Sequence, residues 1–174
     1  MLLYHGSYAP INEIDLNLCL QGKDFGKGFY LTDDLIQAKN FISTSLKKAK
    51  STNKISINQN YGYVTVFKYN EPKEEILKYE FDTTNKEWLW FLSMNRKKEI
   101  IKEFKEKIDS NLLNSEIIIS KIANDTTNPI ITAYISGLYG DIKSDSAINF
   151  AINQLMPNRL NYQYCFLSKK QYLV

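Results

Sequence analysis

Apolar residues come in short runs along this chain, and the runs near its two ends alternate with a period of two. Residues 2–5 place Leu3 and His5 on one face of a predicted strand and Leu2 and Tyr4 on the other. Residues 28–32 repeat the pattern, with Tyr30 and Thr32 on one side and Phe29 and Leu31 opposite. Between them, Ile11, Ile14, Leu16, Leu18 and Leu20 suggest a loop or short helix tucked onto the core. The period then becomes helical over about 34–48, capped by Thr32 or Asp33, with a stripe of Leu35, Ala38, Ile42 and Leu46. Polar residues 51–60 read as a mobile loop, and strands are expected over 61–69 and 76–81.

Thr84-Asn85-Lys86-Glu87 has capping-box spacing, and Trp88, Phe91, Leu92 and Asn95 share the next helical face. That helix is expected to continue or restart through 97–108, with Ile101, Phe104 and Ile108 as its apolar stripe. Residues 116–122 are apolar and β-branched, hence a buried strand. Residues 124–129 are loop chemistry, and 130–136 fit a strand or a helix start. A helix over 144–156 should bury Ala147, Phe150, Ala151 and Leu155, and a last strand spans about 162–167. Alternation there puts Gln163 on the face of Cys165 and Leu167. Strands at both ends, with helices of uneven length between, predict one α+β domain over residues 1–174.

Composition narrows the class. Hydrophobic residues at 44% and aromatics at 13% exclude a disordered chain, and four prolines with seven glycines leave no long linker. A net charge of +3 is too mild to announce nucleic-acid binding. Cys19 and Cys165, the two cysteines, form neither a disulfide framework nor a zinc site, and no His/Cys/Asp cluster has metal-ligand spacing. With no signal peptide legible and no apolar run near the ~18 residues of a membrane span, a cytoplasmic protein without a membrane partner is expected.

The candidate chemistry lies in the first forty residues. His5, the only histidine, ends an apolar run and is followed by Gly6 and Ser7; Gly26 and Gly28 bracket Lys27 just before Tyr30. A lone histidine is more often packed than catalytic, and Gly-x-Gly before a strand is usually a turn. The Walker pair and the three-glycine dinucleotide fingerprint are both absent. His5 with Ser7 lacks a nucleophile-elbow context. Trp88, Trp90 and Phe91 read as core rather than a base-stacking platform.

Taken in order, Tyr4-His5-Gly6-Ser7, Phe25-Gly26-Lys27-Gly28-Phe29-Tyr30 and Ala38-Lys39-Asn40-Phe41 resemble the opening half of the ADP-ribosyltransferase fold. The branch is that of diphtheria toxin and the poly(ADP-ribose) polymerases. The middle of the chain, in "WLWFLSMNR" and "IIISKIAND", looks instead like a poorly characterised bacterial family of the same clan. The resemblance implies a split, mixed or antiparallel sheet with flanking helices, and NAD as substrate. It implies that His5 binds the adenosine ribose and the Gly6 backbone pairs with the nicotinamide carboxamide, with Ser7 and Gly28 beside them. Tyr30 and Phe41 would clamp the nicotinamide ring between aromatic faces. Lys27 would lie near the diphosphate, or serve only as a solvated turn residue.

Two positions depart from that pattern. Ala38 stands where a small hydroxyl residue helps bind the carboxamide, and Gln163 where a catalytic glutamate is usual. Glutamine keeps a hydrogen bond to the ribose but carries no charge and is no base. Glu116 or Asp125 would replace the carboxylate only if the fold brings one of them near Gln163. The resemblance therefore implies transfer of one ADP-ribose unit to a protein or nucleic acid, with His5, Tyr30 and Gln163 as catalytic residues. A small catalytic domain of this kind suggests a toxin with an antitoxin partner. A binding module for NAD or ADP-ribose, or an NAD glycohydrolase, is the alternative.

Overall fold

The alternating runs from both ends of the chain meet in the middle of one sheet. β1 (Leu2–Ser7) and β2 (Phe29–Thr32) lie beside β6 (Tyr162–Phe166), flanked by β3 (Tyr63–Lys68), β5 (Ile117–Lys121) and β4 (Lys78–Glu80). In the computed structural model, which describes residues 1–71, 78–121, 127–156 and 161–168, the order is β3-β1-β2-β6-β5-β4. Every neighbouring pair is antiparallel except β4–β5. This is the mixed α+β arrangement that the patterning predicts.

The pleat sorts the core into two parts. Leu3, Phe29, Leu31, Phe67, Ile117, Ile119, Tyr164 and Phe166 form one cluster, covered by Ile11, Ile14, Leu16 and Cys19. On the other face, Ile118 and Cys165 join side chains from α2 (Lys86–Arg96), α5 (Thr127–Ile135) and α6 (Asp145–Leu155). Leu18 and Leu20 are exposed rather than tucked in: the short 3-10 turn at Leu16–Leu18 buries none of its residues, and Leu20 lies just beyond it. The 51–60 stretch is a run of turns tied to the exit of β1 by Gln59 Nε2, which donates to the Tyr8 carbonyl at 2.7 Å.

Several elements start or stop differently from expectation, and side-chain competition explains most of these cases. Asp34 caps α1 (Leu35–Ser51), accepting from the Ile36 and Gln37 N–H groups. Thr32 does not cap, because its hydroxyl sits between Gln37 Oε1 and the Tyr162 carbonyl. Leu35 is exposed, since α1 approaches the sheet through Ala38 and Ala49. At α2 the cap is Asn85, which accepts from the Trp88 N–H. Glu87 does not close a capping box; its carboxylate takes the Asp109 N–H and the Tyr79 hydroxyl. Trp88 through Met94 are all buried, so α2 is core on every side.

The predicted helix over 97–108 is broken. Lys97 is extended and leads into a 3-10 turn, the single-turn α3 (Ile101–Phe104) and a second 3-10 turn. The bend lets Phe104 stack on Trp90 at 5.3 Å between ring centres. One further turn, α4 (Ser110–Asn114), precedes β5. The ambiguous 130–136 stretch belongs to α5 as far as Ile135, and α5 already begins at Thr127, inside the segment expected to be loop. Phe150 is exposed against Tyr139, because the inward stripe of α6 runs through Ala147, Ile148, Ala151 and Leu155. Ile76, the loop residues Asn124 and Asp125, and the Ile101 side chain lie outside the described residues.

Candidate functional site

β1 and β2 are joined at a single register pair, Tyr4 opposite Thr32. By contrast, β1 meets β3 at six pairs and β2 meets β6 at four. The sheet therefore opens between β1 and β2 toward Ser7 on one side and Gly28 on the other. His5 spans the opening: its Nδ1 lies 2.9 Å from the Tyr30 carbonyl oxygen. A carbonyl only accepts, so Nδ1 carries the proton and Nε2 keeps its lone pair. The ring stacks on Phe29 at 4.7 Å, and burial holds its pKa below the usual histidine value, partly offset by the Tyr30 bond. His5 is therefore a neutral imidazole with one acceptor nitrogen left.

Tyr30 leaves β2 on the opposite face, against the helices. Its hydroxyl donates to the Gly26 carbonyl at 2.7 Å and accepts the Phe25 N–H at 3.0 Å. This staples the 25–28 turn and explains both glycines. Gly26 sits at φ +95, where a side chain is strained, and a Cβ on Gly28 would stand 2.5 Å from Cys165 Sγ. Burial, and then the Cys165 thiol beside it, push the Tyr30 phenol far up, so it is no base at neutral pH. Burial likewise keeps the Cys165 thiol protonated.

Tyr30→Phe should strand the Phe25 N–H and the Gly26 carbonyl and cost about 2 kcal/mol. The expected fall in melting temperature is roughly 6 °C. An unchanged thermal melt would mean that the hydroxyl does not hold the turn.

Gln163 lies across from Thr32 on β2 and Ser120 on β5, hence on the face of Tyr30. Its half-buried amide has no hydrogen-bond partner among the described residues. Ser120 is fully buried and its hydroxyl also lacks one. Glu116 is four residues from Ser120, roughly 13 Å along the strand, and accepts from the Ser168 hydroxyl. It is too far to replace a carboxylate at Gln163. Asp34, nearer that end, is bonded to its helix and to Asn161. Asp125 lies outside the described residues.

The other expected contacts divide. Gly6 lies under α1, with the Ala38 carbonyl directly above its Cα. Ser7 is buried on the His5 face. Phe41 is 46% exposed, on the α1 stripe it shares with Ser45 and Lys48, and touches no other ring among the described residues. Lys27 is exposed on its turn, where its charge acts on Cys19. Thus Tyr30 and Gln163 share a face, and His5 reaches Tyr30 through the main chain from the other.

Three cations near the opening were not singled out from the sequence. Arg96, from the last turn of α2, pairs with Asp24 at 2.5 Å. Lys23 lies beside Lys48 of α1. Nothing in their spacing could have brought residues 23, 48 and 96 together. Among the described residues, no helix is long and apolar enough to cross a membrane.

No curated protein and no solved structure matches the chain. A family model described as a protein of unknown function (DUF3990) matches residues 1–173. A match over nearly the whole length places the chain in the DUF3990 family.

Proposed function

We propose that this chain binds NAD in the opening between β1 and β2 and transfers one ADP-ribose unit to a macromolecular acceptor, protein or nucleic acid. The observation that carries the reading is His5. With Nδ1–H given to the Tyr30 carbonyl, its Nε2 is left to accept a ribose hydroxyl at the opening. The Tyr30 ring on the helix-covered face supplies an aromatic wall for a cationic ring, and Phe41 is exposed on α1.

In the transfer, the bond between ribose C1′ and the nicotinamide nitrogen breaks, and nicotinamide leaves neutral with the bonding pair. An acceptor lone pair forms the new bond to C1′, and the acceptor's proton passes to solvent. Gln163 can accept from the ribose 2′-hydroxyl but cannot take that proton. This favours a single transfer to an acceptor that is reactive by itself. A toxin restrained by an antitoxin in the bacterial cytoplasm fits such a domain.

One observation favours a second reading, recognition of NAD or ADP-ribose without turnover. Asp34 is bonded to its own helix, and Glu116 is bonded to Ser168 at the other end of the strand. The test is incubation of the purified chain with adenylate-labelled NAD and a lysate split into protein and nucleic-acid fractions. Label in one fraction, absent with His5→Ala, is the expected result. Free labelled ADP-ribose alone would make the protein an NAD glycohydrolase. Bound but intact NAD would establish the binding module, and no NAD binding would end the reading altogether.

A further inference from the structure

At the mouth of the β1–β2 opening, positive charge exceeds what the fold neutralises. The mouth is bounded on one side by the exit of β1, where the Tyr8 N–H donates to Ser45 Oγ of α1. On the other side is the turn stapled by Tyr30, next to the end of α2, where Asn95 Nδ2 donates to the Asp24 carbonyl. Lys48 is one helical step beyond Ser45 on the same face of α1. Lys23 and Asp24 lead into the stapled turn, and Arg96 closes the group through its ion pair with Asp24.

Arg96 pairs with the Asp24 carboxylate, Lys23 precedes it in the chain, and Lys48 lies near Lys23. The negative ends of α1 and α2 account for Lys48 and Arg96, each in a last helical turn. They do not account for Lys23, which belongs to no helix, is half-buried, and feels the Lys48 charge more strongly than any other. Burial, followed by the Lys48 and Arg96 charges, lowers its pKa, and Asp24 only partly offsets them. Two ammonium groups side by side are repulsive until an anion lies between them.

We propose that Lys23, Lys48 and Arg96 form a docking site for the diphosphate group of a ligand lying in the opening. That ligand is NAD if the chain is the transferase or NAD-binding module proposed here, and the inference rests on that reading. A diphosphate offers two adjacent single charges, matching two ammonium groups and a guanidinium already part-neutralised by Asp24. The site would hold the middle of the ligand at the mouth and direct one end toward Tyr30.

The test is calorimetric titration of the full chain with inorganic pyrophosphate and, separately, with NAD. Lys23→Gln and Lys48→Gln should each weaken both ligands about tenfold, a loss typical of one charge-assisted contact. Lys39→Gln, on the far side of α1, should change neither. Ligand-free Lys23→Gln should melt no lower than the wild type, because it removes a repelled charge. Unchanged affinities in both lysine variants would overturn the site even if NAD binds. So would loss of pyrophosphate binding with NAD affinity intact, or lysine-dependent binding of a single-stranded oligonucleotide when neither small ligand binds. Lysine-dependent pyrophosphate binding without any NAD binding would support the site and end the NAD reading.

Discussion

Gly6→Ala should destabilise the protein by about 3 kcal/mol and lower its melting temperature by roughly 10 °C. A Cβ at this position would stand 1.9 Å from the Ala38 carbonyl oxygen and 2.9 Å from its carbon. Both neighbours are main chain, so no rotamer change relieves the contact. Either α1 lifts from β1, exposing Ala38 and Ala49, or the strand bends away from β3. Gly22 gives the comparison: it has nothing within 4 Å but sits at φ +75, so Gly22→Ala should cost only about 1 kcal/mol. A Gly6→Ala melt within a degree or two of the wild type would show that α1 does not rest there. The steric demand on Gly6 is independent of any role in holding a ligand.

Gln163→Glu should raise nicotinamide release from NAD about a hundredfold if the chain is a transferase. The wild-type side chain is half-buried, without a hydrogen-bond partner among the described residues, between Thr32 and Ser120. A glutamate there would face Ser120 across the strand pair; the Ser120 hydroxyl has no hydrogen-bond partner among the described residues and can donate to a carboxylate as readily as to an amide oxygen. Amide and carboxylate alike can accept from a ribose 2′-hydroxyl. The difference is the charge, which in the proposed transferase would lie where positive charge develops on the ribose as nicotinamide departs. Partial burial of a new carboxylate should cost some stability, so the variant combines faster release with a lower melting temperature. Bound NAD with no gain in release would shift the assignment to the non-catalytic module.

How much of the fold is legible in the sequence depends on the range of the interactions that decide each element. The alternation of Leu3 with His5, and of Tyr30 with Thr32, is legible because it is written in adjacent residues and reappears in the register of β1, β2 and β6. The buried run Ile117–Ile119 is legible for the same reason. The cap of α1 falls one or two residues beyond expectation because Thr32 bonds to Gln37 and Tyr162, and Tyr162 lies 130 positions away. The break at Lys97 and the exposure of Phe150 likewise depend on packing partners that spacing does not reveal. At the site, the turn chemistry of Gly26 and Gly28 is local and readable. The convergence of Lys23, Lys48 and Arg96 is not, because three separate elements bring them together.

The single register pair between β1 and β2 has a consequence for how tolerant the opening is of sequence change. Past Tyr4 and Thr32 the facing strand edges are not paired with each other, and the Tyr30 carbonyl is held by His5 instead, so the gap is bordered in part by the polypeptide backbone itself. Peptide groups are the same whatever side chain they carry. A ligand gripped through them would survive drift in the surrounding residues, whereas a pocket built only from side chains would lose a contact with each replacement. The positions that resist drift would then be those that keep the two edges apart and aimed: Gly6 under α1, Gly28 against Cys165, and His5 holding the Tyr30 carbonyl.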